Sequence, residues 1–313
     1  MDINLHQRTF HIQNKHLLTL KDYTPSEIFE ILYMARDLKK SLKAGEFRTD
    51  LKGKTLAMIF AKSSTRTRVS FEMGIRQLGG EGLFLSSNDI QLGRGETIHD
   101  TVKVLERMSI SGIMIRTFKQ SDVEDLAKYG TIPIINGLTD LCHPCQVLAD
   151  LLTVWERKRD LQGRKLVFFG DGNNMANSLM VGCAKCGMEV VVACPEGYEP
   201  DQGFLEHAQK YGPVSVSHDP KAAAKGADVL YTDVFFSMGQ KPDPRKFEEM
   251  MRFQVNDELM ALAKPDAMFL HCLPAHRGEE VTASVIDSPA SFVFDEAENR
   301  LHAQKAVMYF LMK

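Results

Sequence analysis

Short apolar stretches typical of β-strands alternate with amphipathic stretches typical of α-helices through most of the chain. The clearest pair is Thr55–Phe60 followed by residues 69–78, where Phe71, Ile75 and Leu78 recur at helical spacing. The other predicted strands cover residues 82–85, 112–116, 132–135, 165–169, 189–194, 214–216, 229–231 and 268–271. The other predicted helices cover residues 25–43, 96–107, 121–129, 144–159, 174–186, 203–210, 219–225 and 296–312. Such alternation predicts α/β units built around parallel sheets.

The length of the chain, 313 residues, indicates about two domains at ~150 residues each. The long predicted helix at 144–159 lies between two series of strands and helices, so we place the domain boundary within it, between residues 150 and 151. We therefore predict an α/β fold with two domains, each a mainly parallel sheet flanked by helices, joined by long interdomain helices. A cleft between two such domains is a common place for a binding site.

Charge and composition argue against several classes of protein. A formal net charge of −3 and a pI near 6.4 predict no basic surface for nucleic acid or acidic membranes. No apolar run is long enough to span a bilayer, and the first residues lack the pattern of a secretory signal. The six cysteines do not form the framework of a small secreted domain. We therefore expect a cytoplasmic protein in a reducing compartment.

The run Ser64-Thr65-Arg66-Thr67-Arg68 lies where a predicted strand turns into a predicted helix. A helix N-terminus presents free N–H groups and the positive end of the helix dipole, so it binds anions and phosphate in particular. The hydroxyls of this run are further donors, and Arg66 has a planar fork that fits a phosphate or a carboxylate. The alternative is a helix cap followed by a solvated basic turn. The strand–turn–helix context favours the anion site.

His143 and Gln146 lie at a second strand-to-helix loop, and Pro144 suits the first turn of the helix that follows. In α/β proteins this edge of the sheet is where ligands bind. An imidazole and an amide three residues apart can both point at one small polar group. The alternative is a capping histidine beside a solvated glutamine, and these residues alone do not decide between the two.

Two more loops follow predicted strands of the second series. Asp233 and Ser237, with Gly239 after them, suit the ammonium and carboxylate groups of an amino acid, although an ordinary polar loop is the alternative. Cys272 ends an apolar strand that Pro274 stops, so its thiol is a nucleophile, a group lining a cleft, or inert packing.

Two patterns point elsewhere. The turn Gly170-Asp171-Gly172 partly matches a dinucleotide fingerprint and would indicate an NAD-dependent dehydrogenase, but Met175 stands where the third glycine belongs. The pairs Cys142–Cys145 and Cys183–Cys186 have zinc-like internal spacing, but the gap between the pairs is far longer than in a zinc ribbon. We therefore interpret the first as a tight turn that presents Asn174, and we expect no metal and no cofactor.

Taken together, the motifs resemble those of the aspartate/ornithine carbamoyltransferases. The resemblance runs from about Leu17 to the C-terminus. The motifs shared with the whole family are Ser64-Thr65-Arg66-Thr67-Arg68 and His143-Pro144-Cys145-Gln146. The motifs that resemble the ornithine-specific members are Asp233-Val234-Phe235-Phe236-Ser237-Met238-Gly239 and His271-Cys272-Leu273-Pro274, supported by Asp171-Gly172-Asn173-Asn174 and Glu298-Asn299-Arg300-Leu301-His302. One departure is Phe235, where many relatives have tryptophan, and it concerns the packing of the loop alone.

The resemblance implies that the two domains bind different substrates. Residues 1–150 would bind carbamoyl phosphate, residues 151–295 would bind ornithine, and the C-terminal helix 296–313 would pack back on the first domain. The family also implies a homotrimer, or a larger assembly of trimers, with sites at subunit boundaries. The loop 88–96 would then reach the neighbouring subunit's carbamoyl phosphate through Gln91, with Arg94 adding positive charge, and a loop serving its own subunit is the alternative.

The resemblance also implies a role for each site residue. Arg66, His143, Cys272 and Arg300 would be the catalytic residues. The carbamoyl phosphate site would comprise Ser64, Thr65, Arg66, Thr67, Gln91, Arg116, His143, Gln146, Cys272, Leu273 and Arg300. The ornithine site would comprise Asn174, Asp233, Ser237 and Met238.

The implied reaction is attack of the ornithine side-chain amine on carbamoyl phosphate, which gives citrulline and phosphate. Positioning and electrostatics would carry the catalysis without a covalent intermediate, and the leaving phosphate would take the proton. The alternative within the family is transfer to another amine such as putrescine, and Asp233 with Ser237 favours an α-amino acid. The sequence leaves open a role in arginine synthesis or in arginine breakdown.

Overall fold

The computed structural model describes residues 12–237 and 239–313. Within them, nine β-strands form two sheets and twelve α-helices surround these sheets. The strands are β1 (Thr55–Phe60), β2 (Glu81–Ser86), β3 (Gly112–Arg116), β4 (Ile134–Leu138), β5 (Lys165–Phe169), β6 (Glu189–Ala193), β7 (Val214–Ser217), β8 (Val229–Thr232) and β9 (Met268–His271). The helices are α1 (Pro25–Lys43), α2 (Thr65–Gln77), α3 (Ile98–Arg107), α4 (Gln120–Tyr129), α5 (Pro144–Lys158), α6 (Asn174–Lys185), α7 (Gln202–Gln209), α8 (Pro220–Ala224), α9 (Pro244–Met251), α10 (Asp257–Leu262), α11 (Ala283–Ile286) and α12 (Val293–Met312).

The first sheet has the strand order β2-β1-β3-β4, and every strand pair in it is parallel. Its inner strands are buried along almost their whole length, because helices cover both faces. The edge strand β2 is more exposed and carries alternating exposed side chains. The strand order β2-β1-β3-β4 shows that the chain adds β2 on one side of β1 and β3 and β4 on the other. The direction of strand addition thus reverses between β1 and β3, at the centre of the sheet.

The second sheet has the order β7-β6-β5-β8-β9 and is also parallel throughout. Here the chain order reverses between β5 and β8. These reversals are the topological switch points at which open α/β sheets bind their ligands, outside the carboxyl ends of the strands. Each sheet of this chain thus has a potential ligand-binding site at its switch point. The helices between the sheets determine how these two sites are oriented relative to each other.

Helices α5 and α12 connect the two halves of the molecule. α5 packs against α6 of the second half and against α1 of the first, and α12 packs against α1, α2 and α5 and also touches β9. One apolar core runs through both halves, since Met58 of the first sheet and Leu166 of the second belong to the same buried cluster as Leu148 of α5. The predicted α/β architecture with two parallel sheets joined by long helices is confirmed.

Several boundaries differ from the prediction for identifiable reasons. β4 begins at Ile134 rather than at residue 132, because Pro133 has no N–H to donate to the sheet. α2 begins at Thr65 rather than 69, so the run of hydroxyls and arginines is itself the first helical turn. α12 begins three residues early at Val293.

The sequence analysis did not identify three short helices, α9 to α11. α9 carries a strong start signal, because Asp243 caps it and Pro244 is its first residue. α11 spans only Ala283–Ile286, which is too short for a periodic pattern. No helix within the described parts of the chain combines the length and the apolar character needed to cross a membrane.

Candidate active site

A cleft of about 860 Å³ lies at the carboxyl ends of both sheets. Residues after β1 and at the end of β3 form one wall, and residues after β5, β8 and β9 form the other. The predicted site residues that line it are Ser64, Thr65, Arg66, Thr67, Arg116, His143, Gln146, Asn174, Asp233, Ser237, Cys272, Leu273 and Arg300. The structure thus brings together groups that are separated by more than two hundred positions in the sequence.

The first wall begins with the N-terminus of α2. Ser64 is the N-cap, and its hydroxyl accepts a hydrogen bond from the Thr67 backbone N–H at 3.2 Å. The cap uses one of the free donors of the first turn, and the remaining N–H groups of this turn stay at the positive end of the helix dipole. Thr65 and Arg66 extend from the same turn into the cleft. This local geometry is that of an anion site at a helix N-terminus.

Three arginines converge beside this turn. Arg116 Nη1 and Arg300 Nη2 each lie 3.4 Å from the hydroxyl of Thr67, and Arg66 lies close enough to affect both electrostatically. Burial and the charge of Arg300 lower the pKa of Arg116 to about 10, and burial lowers the pKa of Arg300 as well. Buried like charges repel one another, so the cluster gains free energy when an anion enters between its members.

His143 caps the start of α5 and is almost fully buried. Its backbone N–H donates to Ser178 Oγ at 2.7 Å, which fixes the main chain, while its ring Nδ1 has no hydrogen-bond partner among the described residues. Burial lowers the pKa of His143 well below 6.5, and the charges of Arg300 and Arg116 lower it further. The imidazole is therefore neutral at physiological pH, and it can donate one hydrogen bond into the cleft.

Gln146 lies one turn further along α5 and is also buried. Its side-chain oxygen accepts a hydrogen bond from Arg300 Nη1 at 2.7 Å. Its side-chain nitrogen donates to Asp150 at 2.9 Å and to Glu296 at 2.8 Å. The amide is thus held in one orientation, with its oxygen toward the arginines.

The second wall carries the carboxylate and the thiol. Asp233 Oδ1 accepts from the Val234 N–H at 2.8 Å and from the Cys272 thiol at 3.1 Å, and Asp233 Oδ2 accepts from Asn173 at 3.0 Å. Asn174 donates to the Thr139 carbonyl at 2.7 Å across the cleft floor. The polar groups of this wall are therefore hydrogen-bonded to one another.

Ser237 lies on the loop that follows β8 and lines the cleft with partial exposure. Its backbone N–H donates to the Gln240 side chain at 3.1 Å. Met238, which we predicted as a further member of this site, lies outside the described residues.

Cys272 is not arranged as a nucleophile. Burial and the carboxylate of Asp233 raise the pKa of the Cys272 thiol well above 9, so the thiolate that would attack a carbonyl is not formed. The next residue, Leu273, has a left-handed φ of +57°, which costs a non-glycine residue about 1 kcal/mol. Its N–H donates to His271 Nδ1 at 2.8 Å, and this bond holds the loop in place.

Gln91 does not line the cleft of its own chain. It begins a short 3₁₀ helix, Gln91–Arg94, between β2 and α3, and both Gln91 and Arg94 are exposed. Both side chains therefore lie outside the cleft that the other predicted residues form.

The sequence analysis missed one buried lysine that lines the cleft and one ion pair that involves a cleft residue. Lys62 is buried, forms an ion pair with Asp140 and lies 4.2 Å from the centre of the Phe118 ring. Lys246 pairs with Asp171 at 2.5 Å and joins α9 to the turn after β5. Of these residues, only Lys62 could have been found in the sequence, because it lies beside the Ser64 run. The pairing of Lys246 with Asp171 depends on contact between distant segments.

The turn after β5 has a structural reason for its glycines. A Cβ on Gly172 would lie 2.3 Å from the backbone nitrogen of Pro200 and 2.4 Å from the Glu199 carbonyl carbon. The chain at 198–200 thus packs directly against this turn, and Gly172 donates its N–H to Tyr198 at 2.8 Å. The close packing of this chain segment accounts for Gly172 without a bound dinucleotide, so the glycine turn no longer supports the dehydrogenase interpretation.

Two groups of residues bring metal-ligand atoms within 4.8 Å of one another among the described residues: Asp233, His271 and Cys272, and His276, Glu279 and Glu280. In the first group both ring nitrogens of His271 are already used, by Leu273 N–H and by Glu280 at 3.1 Å. Neither group contains a member of the Cys142–Cys145 or Cys183–Cys186 pairs. Burial raises the pKa of Cys142, Cys145 and Cys186 to about 12, which is typical of buried thiols.

Comparisons with known proteins agree over almost the whole chain. The model of the aspartate/ornithine carbamoyltransferase carbamoyl-P binding domain matches residues 15–156, and that of the aspartate/ornithine carbamoyltransferase Asp/Orn binding domain matches residues 162–311. An ornithine carbamoyltransferase of Oceanobacillus iheyensis is 56% identical over 317 aligned positions, which cover 99% of this chain and 98% of the relative. One from Pyrococcus abyssi is 55% identical, covering 96% of each chain.

The solved structures lead to the same group of proteins. The ornithine carbamoyltransferase from Pyrococcus furiosus superposes with a TM-score of 0.92 at 55% identity, covering 95% of this chain and 96% of that one. The enzyme from Thermus thermophilus gives a TM-score of 0.88 at 43% identity, covering 96% of this chain and all of that one.

Proposed function

This chain belongs to the aspartate/ornithine carbamoyltransferase family, and we propose that it transfers the carbamoyl group of carbamoyl phosphate to the side-chain amine of L-ornithine, giving L-citrulline and phosphate. The observation that carries the proposal is the charge pattern of the cleft. A cluster of buried arginines beside a helix N-terminus faces a wall that carries a carboxylate, a hydroxyl and a thiol. One wall suits a phosphate and the other suits an amino acid.

On the first wall, the phosphate binds to the turn Ser64–Thr67 and to Arg66 and Arg116. Backbone N–H groups, hydroxyls and guanidinium forks are all donors, and a phosphate dianion is an acceptor at every oxygen. The repulsion between the arginines in the free protein supports this assignment, because the ligand would relieve it.

The carbonyl oxygen of the carbamoyl group becomes an oxyanion during attack, and donors aimed at it lower the barrier. His143 and Arg300, with the Thr67 hydroxyl, are the donors that we assign to it. A neutral imidazole serves here, because it still carries one ring N–H that can donate to the oxyanion. Gln146, oriented by its contact with Arg300, binds the carbamoyl amide.

On the second wall, Asp233 binds the α-ammonium of ornithine, while Asn174, Ser237 and the backbone at Met238 hold its carboxylate. Cys272 and Leu273 line the path of the side-chain amine toward the carbonyl. The raised thiol pKa supports a role in which Cys272 orients the amine through a hydrogen bond rather than attacking the carbonyl itself. The departing phosphate takes the proton of the amine, so no separate general base is required.

These assignments imply which substrate each domain binds. We assign carbamoyl phosphate binding to residues 1–150 together with the C-terminal helix, and ornithine binding to residues 151–295. The packing of α12 against α1 and α2 supports its inclusion with the first domain, although it begins in the second.

We further propose that the chain forms a homotrimer, alone or within a larger assembly, in which Gln91 completes the carbamoyl phosphate site of a neighbour. The exposed position of Gln91 and Arg94, away from their own cleft, supports this. The test mixes an Arg66→Lys variant with a Gln91→Ala/Arg94→Ala variant under conditions that exchange subunits. Some boundaries then combine both defects and others neither, so activity reappears on mixing. If verified mixed trimers recover no activity, the loop acts in the site of its own subunit and the proposal is wrong.

In the cell, we propose a cytoplasmic role in arginine metabolism. A relative from Pyrococcus furiosus, 54% identical, is described as an anabolic ornithine carbamoyltransferase, which supports the biosynthetic direction.

The direct test of the activity is citrulline formation from carbamoyl phosphate, with ornithine, putrescine and aspartate compared as acceptors at equal concentration. We expect ornithine to be the preferred acceptor by a wide margin. Putrescine is the second candidate, because it carries the same reacting amine, but it offers no carboxylate to the second wall. A preference for putrescine or aspartate would overturn the proposed substrate.

A further inference from the structure

A buried carboxyl pair lies behind the carbamoyl site and does not itself line the cleft. Asp150 is on α5, one turn after Gln146, and Glu296 is on α12, one turn before Arg300. Both carboxyls are about 1% exposed. The Gln146 side-chain nitrogen donates to Asp150 Oδ1 at 2.9 Å and to Glu296 Oε1 at 2.8 Å. Each of the two amide hydrogens of Gln146 thus has its own acceptor.

Glu296 accepts hydrogen bonds from three different elements. Besides Gln146, the Tyr231 hydroxyl on β8 donates to Oε1 at 3.1 Å, and the His271 backbone N–H on β9 donates to Oε2 at 3.0 Å. His271 directly precedes Cys272, so this one carboxylate links the amide of the first wall to the strand that carries the thiol of the second. Three donors on two oxygens favour the ionised carboxylate, which accepts at both oxygens and has no proton of its own to place.

The electrostatic surroundings assign the proton of the pair. The groups that face Asp150 are Glu296 and Arg300 of α12, Tyr231 of β8, Cys183 of α6 and Cys272 after β9. Burial, followed by the charge of Glu296, raises the pKa of Asp150 well above its usual value, and burial raises the pKa of Glu296 too, while a hydrogen bond from Asp150 opposes that rise. Two carboxyls this close hold one shared proton. The hydrogen bonds favour Asp150 as the carrier of that proton, because Glu296 already accepts from three donors while Asp150 Oδ2 has no acceptor role among the described residues.

We propose that Asp150 and Glu296 are positioning residues that hold the Gln146 amide with its oxygen toward Arg300 and the cleft. The site then recognises the carbamoyl group by the hydrogens of the carbamoyl NH₂. The inference rests on the proposed function. A glutamine fixed in this way offers only an acceptor to the ligand. The NH₂ of carbamoyl phosphate donates to that acceptor, whereas the methyl group of acetyl phosphate has nothing to donate.

Acetyl phosphate is therefore the probe, because it differs from carbamoyl phosphate at this one group. A site built around a buried acceptor rejects an analogue that leaves the acceptor unpaired. The quantity to measure is the discrimination ratio, which is the inhibition constant of acetyl phosphate divided by the KM of carbamoyl phosphate. Loss of stability or of expression alone would lower the active fraction and leave this ratio unchanged.

The two carboxyls predict opposite outcomes for the same chemical change. Asp150→Asn keeps an oxygen for Gln146 and supplies an N–H where the shared proton was, so we expect the ratio to stay within about twofold. Glu296→Gln keeps only one acceptor oxygen for three donors, and Asp150→Leu removes an acceptor of Gln146. In both we expect the ratio to fall about tenfold, with a larger change in the KM of carbamoyl phosphate than in the KM of ornithine.

The matched control is Thr153→Val, also on α5. Thr153 accepts a hydrogen bond from Asn299 of α12 at 2.9 Å, so the variant removes a buried tie between the same two helices without touching the carboxyl pair. We expect its ratio to equal that of the unaltered protein. Melting temperatures of all four variants identify any that do not fold, and the comparison of Asp150→Asn with Glu296→Gln remains informative if Asp150→Leu is lost.

A ratio that is unchanged in folded Glu296→Gln, or that falls equally in Asp150→Asn, would overturn the inference. An unaltered protein that forms no citrulline would instead refute the proposed function, so the two failures are distinguishable.

Discussion

The two walls of the cleft are prepared for their ligands in different ways. On the first, the Ser64–Thr67 turn, Arg116 and Arg300 present concentrated positive charge whose members repel one another. On the second, Asp233 is already bound to Asn173 and to the Cys272 thiol. The first wall is an unneutralised charge cluster, and the second is a satisfied hydrogen-bond network.

This difference affects the free energy that each ligand gains on binding. An anion entering the first wall adds attractive contacts and relieves repulsion, with few protein contacts to break. An amino acid entering the second wall has to replace hydrogen bonds that the protein already makes, so its net gain is smaller. We therefore expect substitutions on the first wall to cost more activity than comparable substitutions on the second, and four predictions test that ranking.

The largest effect is expected for Arg66→Lys. Lysine keeps the charge and loses the planar fork, and a lost charged contact in the transition state costs on the order of 3 kcal/mol, or about a hundredfold in kcat/KM. Steady-state kinetics with both substrates measures it. The control is Arg68→Lys on the same helix, whose guanidinium stacks on Phe84 at 3.8 Å outside the cleft. Near-normal turnover in Arg66→Lys would remove it from the phosphate site.

On the second wall, Asp233→Asn keeps the size of the side chain and removes its charge. We expect the KM of ornithine to rise about thirtyfold, which corresponds to about 2 kcal/mol for a hydrogen bond to a charged group. The KM of carbamoyl phosphate should change little, and the activity with putrescine relative to ornithine should rise. Asp201→Asn is the control, because Asp201 caps α7 in the same half of the molecule. An effect that falls on carbamoyl phosphate instead would reverse the assignment of the walls.

The pH profile tests the walls without mutation. The attacking amine must be neutral, and a free alkylammonium has a pKa of roughly 10, so kcat/KM for ornithine should rise about tenfold per pH unit from about pH 6 to 7.5, below the range in which the α-ammonium that Asp233 binds loses its proton. The pKa of His143 is lowered, so its imidazole is neutral throughout this range. The pKa of Cys272 is raised, so its thiol stays protonated. An inflection within this range would show that one of these groups titrates there and would contradict its assigned state.

The smallest effect is expected for Lys246→Met, which breaks the ion pair with Asp171 beside the second wall. Lys246 joins α9 to the turn after β5, and loss of a partly exposed pair costs about 1 kcal/mol. We expect the KM of ornithine to rise about fivefold with little change in kcat. Lys221→Met, which breaks the exposed pair with Glu258, is the control. A larger loss than in Asp233→Asn would mean that the loop, rather than the carboxylate, controls ornithine binding.

The fold was largely predictable from the sequence, because strand and helix periodicity are local properties. All nine strands were placed within a few residues, and the errors arose where a single residue such as Pro133 shifts the start of a pairing. The short helices α9 to α11 were missed, since elements of one or two turns carry too few residues for a period to appear.

The candidate site was predictable where each residue follows its own strand, as Ser64, Asp233 and Cys272 do. The carboxyl pair of Asp150 and Glu296 was not predictable, because its two members are distant in sequence and meet only when α12 packs on α5. The same holds for Lys246 and Asp171. Local patterns identify groups that face a ligand, whereas the groups that hold them depend on tertiary packing.

The position of Arg300 on the final helix has a consequence for synthesis. Domains of a growing chain fold in order from the N-terminus. A nascent polypeptide can therefore have both sheets assembled on the ribosome and still lack Arg300 and Glu296, which arrive with α12. Products that end before α12 would keep most of the residues of the apolar core and lose two side chains that we propose the reaction needs. Enzyme activity would thus report that synthesis has continued through α12.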